Sequence, residues 1–494
     1  MYTYIKMPFV TPYFADFHRR LFGKAPLSAL QERLRHSPQI PSISHYQELF
    51  GKLVPKELFL PVQRGTNSRQ RIFSPALTFW SFLGQVLEPG SSCRDALRQL
   101  NAWRQWHFPT RALPSHDTSG YCQARARLSD SSLQALCRHV GQQLEQQATE
   151  EQLWLGRRVK IIDGTSVSMP DTAANQAVWP QSSAQKPGCG FPLLKLVGLF
   201  SLHSGALLDL SIAGQRHHDI QLARQLWPQL QAGDTILADR GFCSFADLAQ
   251  LQAQANDVVM RLHQARKTDF RRGKPLGPND RLVVWTKPLQ PTRNLTKQEL
   301  KALPATLQLR LVRYRIQIPG CRCQEIILVT TLLDAQRFSA AQLAQLYFRR
   351  WGVELHFHQI KTLLGMDVLR CLSPAMVRKE LLMHLVAYNL IRALMQRASL
   401  IYHVPLRRLS FKGSLDSLHH FADAIHAAHA KPTRQRQLFD TLLITIATDQ
   451  VPLRPNRSEP RVKKRRPKNY HLLTKPRRSM VLSQHRSRHR AKPS

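Results

Sequence analysis

Three acidic residues stand where a folded chain would present them for shared chemistry. Asp163 follows the apolar run Val159-Lys160-Ile161-Ile162 and precedes Gly164-Thr165; Asp239 follows Thr235-Ile236-Leu237-Ala238 and precedes Arg240-Gly241-Phe242; Glu354 lies in a stretch of helical periodicity. An isolated Asp-Gly is an ordinary turn, so neither aspartate carries weight alone. Two acids that each end a strand, however, are able to adjoin in one sheet. Hard cations such as Mg²⁺ prefer carboxylate oxygens, and two neighbouring acids make half of a site for them.

Around Glu354, residues Tyr347, Arg350, Glu354 and Lys361 are separated by three, four and seven positions. At ~100° per residue they fall within an arc of roughly 60° on one helix face. An aromatic ring, an acid and two cations in one line are satisfied best by a polyanion, although a solvated amphipathic face shows the same spacing. Two carboxylates from strands and one from a helix are able to hold two Mg²⁺ or Mn²⁺ ions about 4 Å apart across a scissile phosphate. Such chemistry needs no serine or histidine nucleophile.

The elements that must position these residues are legible as changes of periodicity. Up to about Gln147 the apolar spacing is helical, in Ser74 to Leu87, Cys93 to Trp106 and Leu133 to Leu144. Within that region Thr118 to Val140 carries Arg125, Arg127 and Arg138 on two short helical patterns, which reads equally as a helix-turn-helix or as a solvated basic face. Strands then follow at Val159 to Asp163, Leu193 to Leu202 and Ala206 to Ala213, the last two joined by His203-Ser204-Gly205. A helix from Ile220 to Leu230, a strand Thr235 to Asp239, a helix Phe245 to Gln254 and a strand Asp257 to Leu262 complete the order βββαβαβ of a ribonuclease-H-like core.

A polar stretch between about 263 and 326, with strand-like Arg281 to Trp285 and Leu307 to Ile318, reads as an inserted, mainly β subdomain. The core resumes at Glu325 to Leu333. One long helix is expected from Ala340 to Leu364, started by a Ser339/Gln342 capping box and stopped by Gly365. The expected organisation is thus α/β, with a helical DNA-binding region over 1–155, a ribonuclease-H-like domain over 156–370, a helical region over 371–450 and a basic, disordered tail over 451–494. From Arg454 onward there are 15 Lys+Arg and one acid, Glu459.

Charge narrows the partner. The 494 residues hold 71 Lys+Arg against 32 Asp+Glu, a net charge of +39, which implies a polyanionic partner, and nucleic acid fits better than a membrane surface because no long amphipathic helix stands isolated at either end. At 43% apolar the chain has enough hydrophobic residues for a sizeable core. The longest apolar stretch, Phe191 to Leu202, is interrupted by Lys195 and is too short for a membrane helix. The start MYTYIKMPFV lacks the layout of a signal peptide, so a cytoplasmic, nucleoid-associated protein is expected. Eight scattered cysteines without paired CxxC units read as reduced thiols, with Cys321 and Cys323 in a turn beside Gly320.

The spacing Tyr347-x2-Arg350-x3-Glu354-x6-Lys361 resembles the Y-(2)-R-(3)-E-(6)-K signature of the IS4 family of DDE transposases. Ile162-Asp163-Gly164-Thr165 and Ala238-Asp239-Arg240-Gly241-Phe242 look like that family's first and second acidic motifs, in the expected order. The likeness covers about Val159 to Arg370 and is weaker in the N-terminal helices. It implies that Asp163, Asp239 and Glu354 bind the metal ions. It also implies that Tyr347, Arg350 and Lys361, with Arg240 beside the second acid, contact DNA near the cleaved end, as in members that flip out a base and close a hairpin. Family members carry a β-rich insertion before the glutamate, for which the separation of 115 positions between Asp239 and Glu354 leaves room (354 − 239).

The implied function is cut-and-paste transposition. The N-terminal helices would recognise terminal inverted repeats, the basic tail would add salt-sensitive phosphate binding to element and target DNA, and a homodimer would pair two ends. The rivals are a nuclease with the same core that does not rejoin DNA, and an inactive, transposase-derived DNA-binding protein. Trp285 is a positional candidate for stacking on a flipped base, with core packing as the alternative, whereas Trp351 is expected to pack inside. His217-His218-Asp219 reads as a helix N-terminus rather than a transition-metal site. His358, one turn beyond Glu354, is either a proton-transfer or phosphate-contacting group or a plain surface histidine.

Overall fold

The computed structural model describes residues 43–60, 72–107, 110, 117–290, 295–315, 325–428, 430–453, 473–476 and 479–480. Cys321, Cys323 and most of the basic tail lie outside the described residues.

Among the described residues five α-helices come first: α1 (Ile43–Phe50), α2 (Pro75–Leu87), α3 (Cys93–His107), α4 (Ser119–Arg127) and α5 (Asp130–Gln146). Ser74 caps α2 and Ser129 caps α5, each accepting a hydrogen bond from a backbone N–H three residues on. On α4 and α5 two of the arginines are engaged by protein groups, although Arg138 stays partly exposed. Arg125 is buried with its guanidinium over the Phe82 ring, and Arg138 pairs with buried Asp209 at 2.8 Å. These two cations therefore do not form the solvated basic face that the spacing allowed.

A mixed nine-stranded sheet follows. Its strands are β1 (Val159–Ser168), β2 (Leu193–Ser201), β3 (Leu207–Gly214), β4 (Thr235–Ala238), β5 (Asp257–Arg261), β6 (Lys274–Gly277), β7 (Asp280–Thr286), β8 (Thr306–Arg315) and β9 (Glu325–Thr330). The order across the sheet is β3-β2-β1-β4-β5-β9-β8-β7-β6. β1, β2 and β3 form an antiparallel meander, while β4 and β5 run parallel to β1, which is the ribonuclease-H-like arrangement. Crossovers between parallel strands need helices, supplied by α7 (Asp219–Arg224) and α8 (Phe245–Ala253) after the short α6 (Ala173–Val178). The helix expected to run to Leu230 ends at Arg224, and a 3₁₀ turn at Trp227–Gln229 carries Pro228, which has no N–H to continue an α-helix.

The insertion joins the core through a shared strand. β9 pairs antiparallel with β5 on one side and with β8 on the other, so β6 to β8 prolong the same sheet. Arg310 on β8 is fully buried there, bonded to Asp280 at 2.6 Å and to the Phe338 carbonyl at 2.7 Å. A small helix, α9 (Lys297–Ala302), lies between β7 and β8.

The long helix expected over Ala340 to Leu364 is divided. α10 (Ala340–Arg349) has the anticipated Ser339/Gln342 capping box, α11 (Gly352–His358) follows, and a π turn spans Gln359–Leu363. At the junction the N–H groups of Arg350, Trp351, Val353 and Glu354 bond three residues back instead of four. Gly352, the weakest helix former in the stretch, sits at that junction.

The chain closes with α12 (Pro374–Tyr402), α13 (Phe411–Ala427) and α14 (Pro432–Thr448). α12 is buried along most of its 29 residues, because its apolar side chains face the N-terminal helices, the sheet and α14 together. Asn389 fixes that packing by donating to the Cys137 and Leu207 carbonyls and accepting from Leu207 N–H. One hydrophobic core thus joins α2 and α5 to one sheet face and to α10–α14, and a second lies between the other face and α7 and α8.

Candidate active site

Strand alternation and one register bring two of the acids together. The β1–β4 ladder ends at Ile162↔Ala238, so Asp163 and Asp239 occupy the next step of two neighbouring strands, which lie ~4.8 Å apart. With period two, Asp163 shares its face with Ile161 and Asp239 shares its face with Leu237, both members of the core that underlies α10 and α11. Asp163 does not end its strand, as the sequence suggested. β1 runs five residues further to Ser168, held by β2 through Asp163↔Gly198, Thr165↔Leu196 and Ser166↔Lys195.

α10, α11 and the π turn lay their polar side chains over this point. Tyr347 donates its hydroxyl to Asp239 Oδ1 at 3.4 Å, and Arg350 Nη1 donates to Asp163 Oδ2 at 2.9 Å. Lys361 reaches β1 just beyond the acids, donating to Thr165 Oγ1 at 3.1 Å and to the Ser166 carbonyl at 2.9 Å. The Gly164 N–H donates to Asp163 Oδ1 at 2.8 Å. Glu354 and His358 are exposed on α11, and Arg240 is exposed in the 3₁₀ turn after Asp239.

Electrostatics tie the three acids together. Burial lifts the Asp163 carboxyl to about 6, opposed by the Gly164 N–H and Arg350, and reinforced by the negative charges of Glu354 and Asp239. Burial likewise raises the Tyr347 hydroxyl, with Arg350 opposing and Asp239 adding to the rise. Among the described residues no three His, Cys, Asp or Glu side chains are assembled tightly enough to hold an ion. The donor set nevertheless fits a hard divalent cation, since the negative charges of Glu354 and Asp239 that hold a proton on Asp163 are relieved by positive charge.

Two residues here carried no sequence signal. Arg261, at the end of β5, acts electrostatically on both Tyr347 and Tyr314, and Tyr314 on β8 is also influenced by Arg350. Only the β5–β9–β8 ladder brings them to the acids, and no spacing along the chain announces it. Trp285, in contrast, belongs to the core, at 7% exposure beneath the Arg266 guanidinium 3.7 Å from its ring. Trp351 corrects the opposite expectation. It is 56% exposed, because the tightened turn between α10 and α11 swings it outward. His218 caps α7 through Nδ1, and Asp219 pairs with Lys195 at 3.0 Å, so this trio serves a helix start.

Residues 154–390 match the family described as the transposase DDE domain. The chain is 26% identical over 406 residues to the transposase InsG of insertion sequence element IS4 from Escherichia coli, covering 81% of this chain and 88% of that one. It is also 26% identical over 369 residues to the transposase of element IS421 from Escherichia coli, covering 67% and 88%. Among solved structures it is similar to a piggyBac transposase in a synaptic complex with hairpin DNA, at a TM-score of 0.41 and 12% identity over 83% of this chain and 87% of that one.

A ribonuclease-H-like sheet within a matched transposase DDE domain, with transposases among its relatives, makes the chain a DNA transposase, an enzyme class that depends on divalent metal. Within that class, the transposase of the IS4 element is among the proteins the chain is similar to, at 26% identity. No helix among the described residues is long and apolar enough to cross a membrane.

Proposed function

We propose that Asp163, Asp239 and Glu354 hold two divalent ions, Mg²⁺ or Mn²⁺, and that the protein excises a mobile element at its terminal inverted repeats and joins it to target DNA. The observation that carries this reading is the β1–β4 register, which supports Asp163 and Asp239 side by side beneath α10 and α11. Bound at these oxygens, the ions would activate a water or a 3′-hydroxyl and neutralise the leaving oxygen.

The protein's own groups have distinct tasks. Asp163 and Asp239 come from a rigid sheet and fix the site, while exposed Glu354 on α11 completes it from the helix side. Arg350 is a cation at hydrogen-bond distance from Asp163 and is placed to donate to a phosphate oxygen when DNA arrives. Tyr347 orients Asp239, and Lys361 ties the π turn to β1, holding the helix over the acids. Arg240 adds an exposed cation for the flanking backbone. Because two ends must be paired before joining, a homodimer is the working form, acting on nucleoid DNA in the cytoplasm.

The test incubates the protein with a duplex bearing the element's own end and a supercoiled target in Mg²⁺ or Mn²⁺. Covalent joining of the 3′ end to the target supports the reading. Cleavage without joining would make the protein a nuclease, and binding with neither reaction would make it an inactive derivative. Asp163→Ala must abolish the products while retaining duplex binding.

A further inference from the structure

The insertion strands carry a basic hollow apart from the acids. About 620 Å³ in volume, it is lined among others by Phe270, Arg271, Asn279, Arg281 and Arg313. Arg281 is held by three backbone carbonyls, those of Phe270, Gly277 and Asp280, at 2.7, 2.9 and 2.9 Å. Its charge is thus fixed in place by neutral groups. Arg313 donates twice to Asn279 Oδ1, at 2.6 and 3.0 Å, lies over the Phe270 ring at 4.5 Å and has Glu325 only at 3.8 Å. Arg271 pairs with Asp269 and remains 92% exposed. Guanidiniums oriented in advance lose little freedom on meeting an anion, and their fork geometry suits phosphate oxygens.

Topology places this hollow relative to the acids. β8 is parallel to β5, since both are antiparallel to β9, so Tyr314 and Arg313 lie at the sheet end that carries Asp163 and Asp239. Arg281, near the start of antiparallel β7, lies at that end too. From β4 the hollow is three to four strands away, roughly 14–19 Å at ~4.8 Å per strand. Arg281 pairs with Leu311, so it shares a face with Leu311 and Arg313, opposite the face of Tyr314. A duplex reaching both sites would therefore cross the end of the sheet.

We propose that this hollow binds backbone phosphates of the duplex being cut, about four to six base pairs from the scissile phosphate at ~3.4 Å per base pair. The proposal rests on the reading of Asp163, Asp239 and Glu354 as the cutting site. It gives the insertion a function in holding DNA without reading bases.

The test measures duplex affinity against salt for the full chain by fluorescence anisotropy, using a random-sequence duplex. Arg281→Gln/Arg313→Gln should lower the slope of log K against log[salt] by roughly two, at about 0.9 for each phosphate that is no longer neutralised. Should that double variant not fold, Arg271→Glu, on an exposed side chain, should weaken binding several-fold with an unchanged melting profile. Phosphate-ethylation interference on the element-end duplex should lose signal at phosphates about four to six base pairs from the cut. An unchanged slope or unaltered binding by Arg271→Glu would overturn the proposal and leave an acidic protein as the better partner, and interference that disappears at other phosphates instead would overturn it by placing the hollow elsewhere on the duplex. Asp163→Asn separates the two readings, because it should retain the full slope while cutting is lost. A wild-type protein that never cuts condemns the cutting-site reading alone.

Discussion

Arg350 Nη1 lies 2.9 Å from Asp163 Oδ2, with the buried Nε of the same guanidinium lacking a hydrogen-bond partner among the described residues. If Asp163 holds a divalent ion as proposed, one carboxylate would serve both that ion and the arginine that pairs with it directly. Ion and arginine would then compete for the same oxygen unless a phosphate drew the guanidinium away.

That competition makes metal binding depend on DNA. Arg350→Gln should bind Mn²⁺ on the order of tenfold more tightly than the wild type in the absence of DNA, within the usual range of coupling between sites. Adding duplex should tighten Mn²⁺ binding to the wild type and change the variant little. Electron paramagnetic resonance titration of free Mn²⁺ reads both, and identical affinities in all four samples would remove Arg350 from this role.

Removing an acid should separate chemistry from binding. Asp239→Asn and Glu354→Gln are expected to lower joined product by on the order of 10³-fold, the scale on which loss of charge stabilisation at a transition state is felt. Duplex affinity should stay within about threefold, because phosphate contacts made elsewhere dominate it. Chelation by EDTA should abolish joining in the wild type, and Mg²⁺ in excess should restore it.

How much of this site the sequence disclosed varies by residue for physical reasons. Asp163 and Asp239 are legible because β-forming runs precede each, but Gly164-Thr165-Ser166 after the first acid reads as a turn and becomes strand only through pairing with β2. The face shared by Tyr347, Arg350 and Lys361 follows from the spacing of an unbroken helix, which does not exist. It survives because the overwound turn before Gly352 and the underwound π turn after His358 shift the phase in opposite directions. Trp351 sits inside the overwound turn and is exposed where packing was expected. Arg261 and Tyr314 depend on strand pairing across an insertion, which single-chain periodicity does not encode.

The β2–β3 hairpin offers a stability test remote from the acids. Gly205 has φ +66°, and a Cβ there would lie 2.6 Å from both Arg392 Nη2 and His356 Cε1. Its carbonyl accepts from the Tyr388 hydroxyl at 2.6 Å, so the turn is clamped against α12 and has no freedom to move aside. Gly205→Ala should cost about 2–4 kcal/mol, combining left-handed strain with overpacking. A urea midpoint indistinguishable from wild type would mean the turn is free to relax despite that clamp.

Burial of neutral imidazoles should make the fold sensitive to mild acid. His384 sits inside α12 with Nδ1 2.8 Å from the Glu380 carbonyl, and burial holds its pKa below the ordinary 6.5, against the opposing pull of Glu380. His203 is lowered by burial as well, with Glu145 opposing. A histidine depressed in the folded state binds its proton first in the unfolded chain, so its stabilising contribution is complete above 6.5 and is lost as pH falls below that value. Each such group steepens the loss by up to ~1.4 kcal/mol per pH unit. Asp163, raised to about 6, acts in the opposite sense, costing stability as pH rises through that value. The net slope therefore mixes signs, and the difference between proteins isolates one group. His384→Leu should show a flatter fall in urea midpoint between pH 7 and pH 5 than the wild type, and parallel curves would show that His384 takes up its proton without cost to the fold.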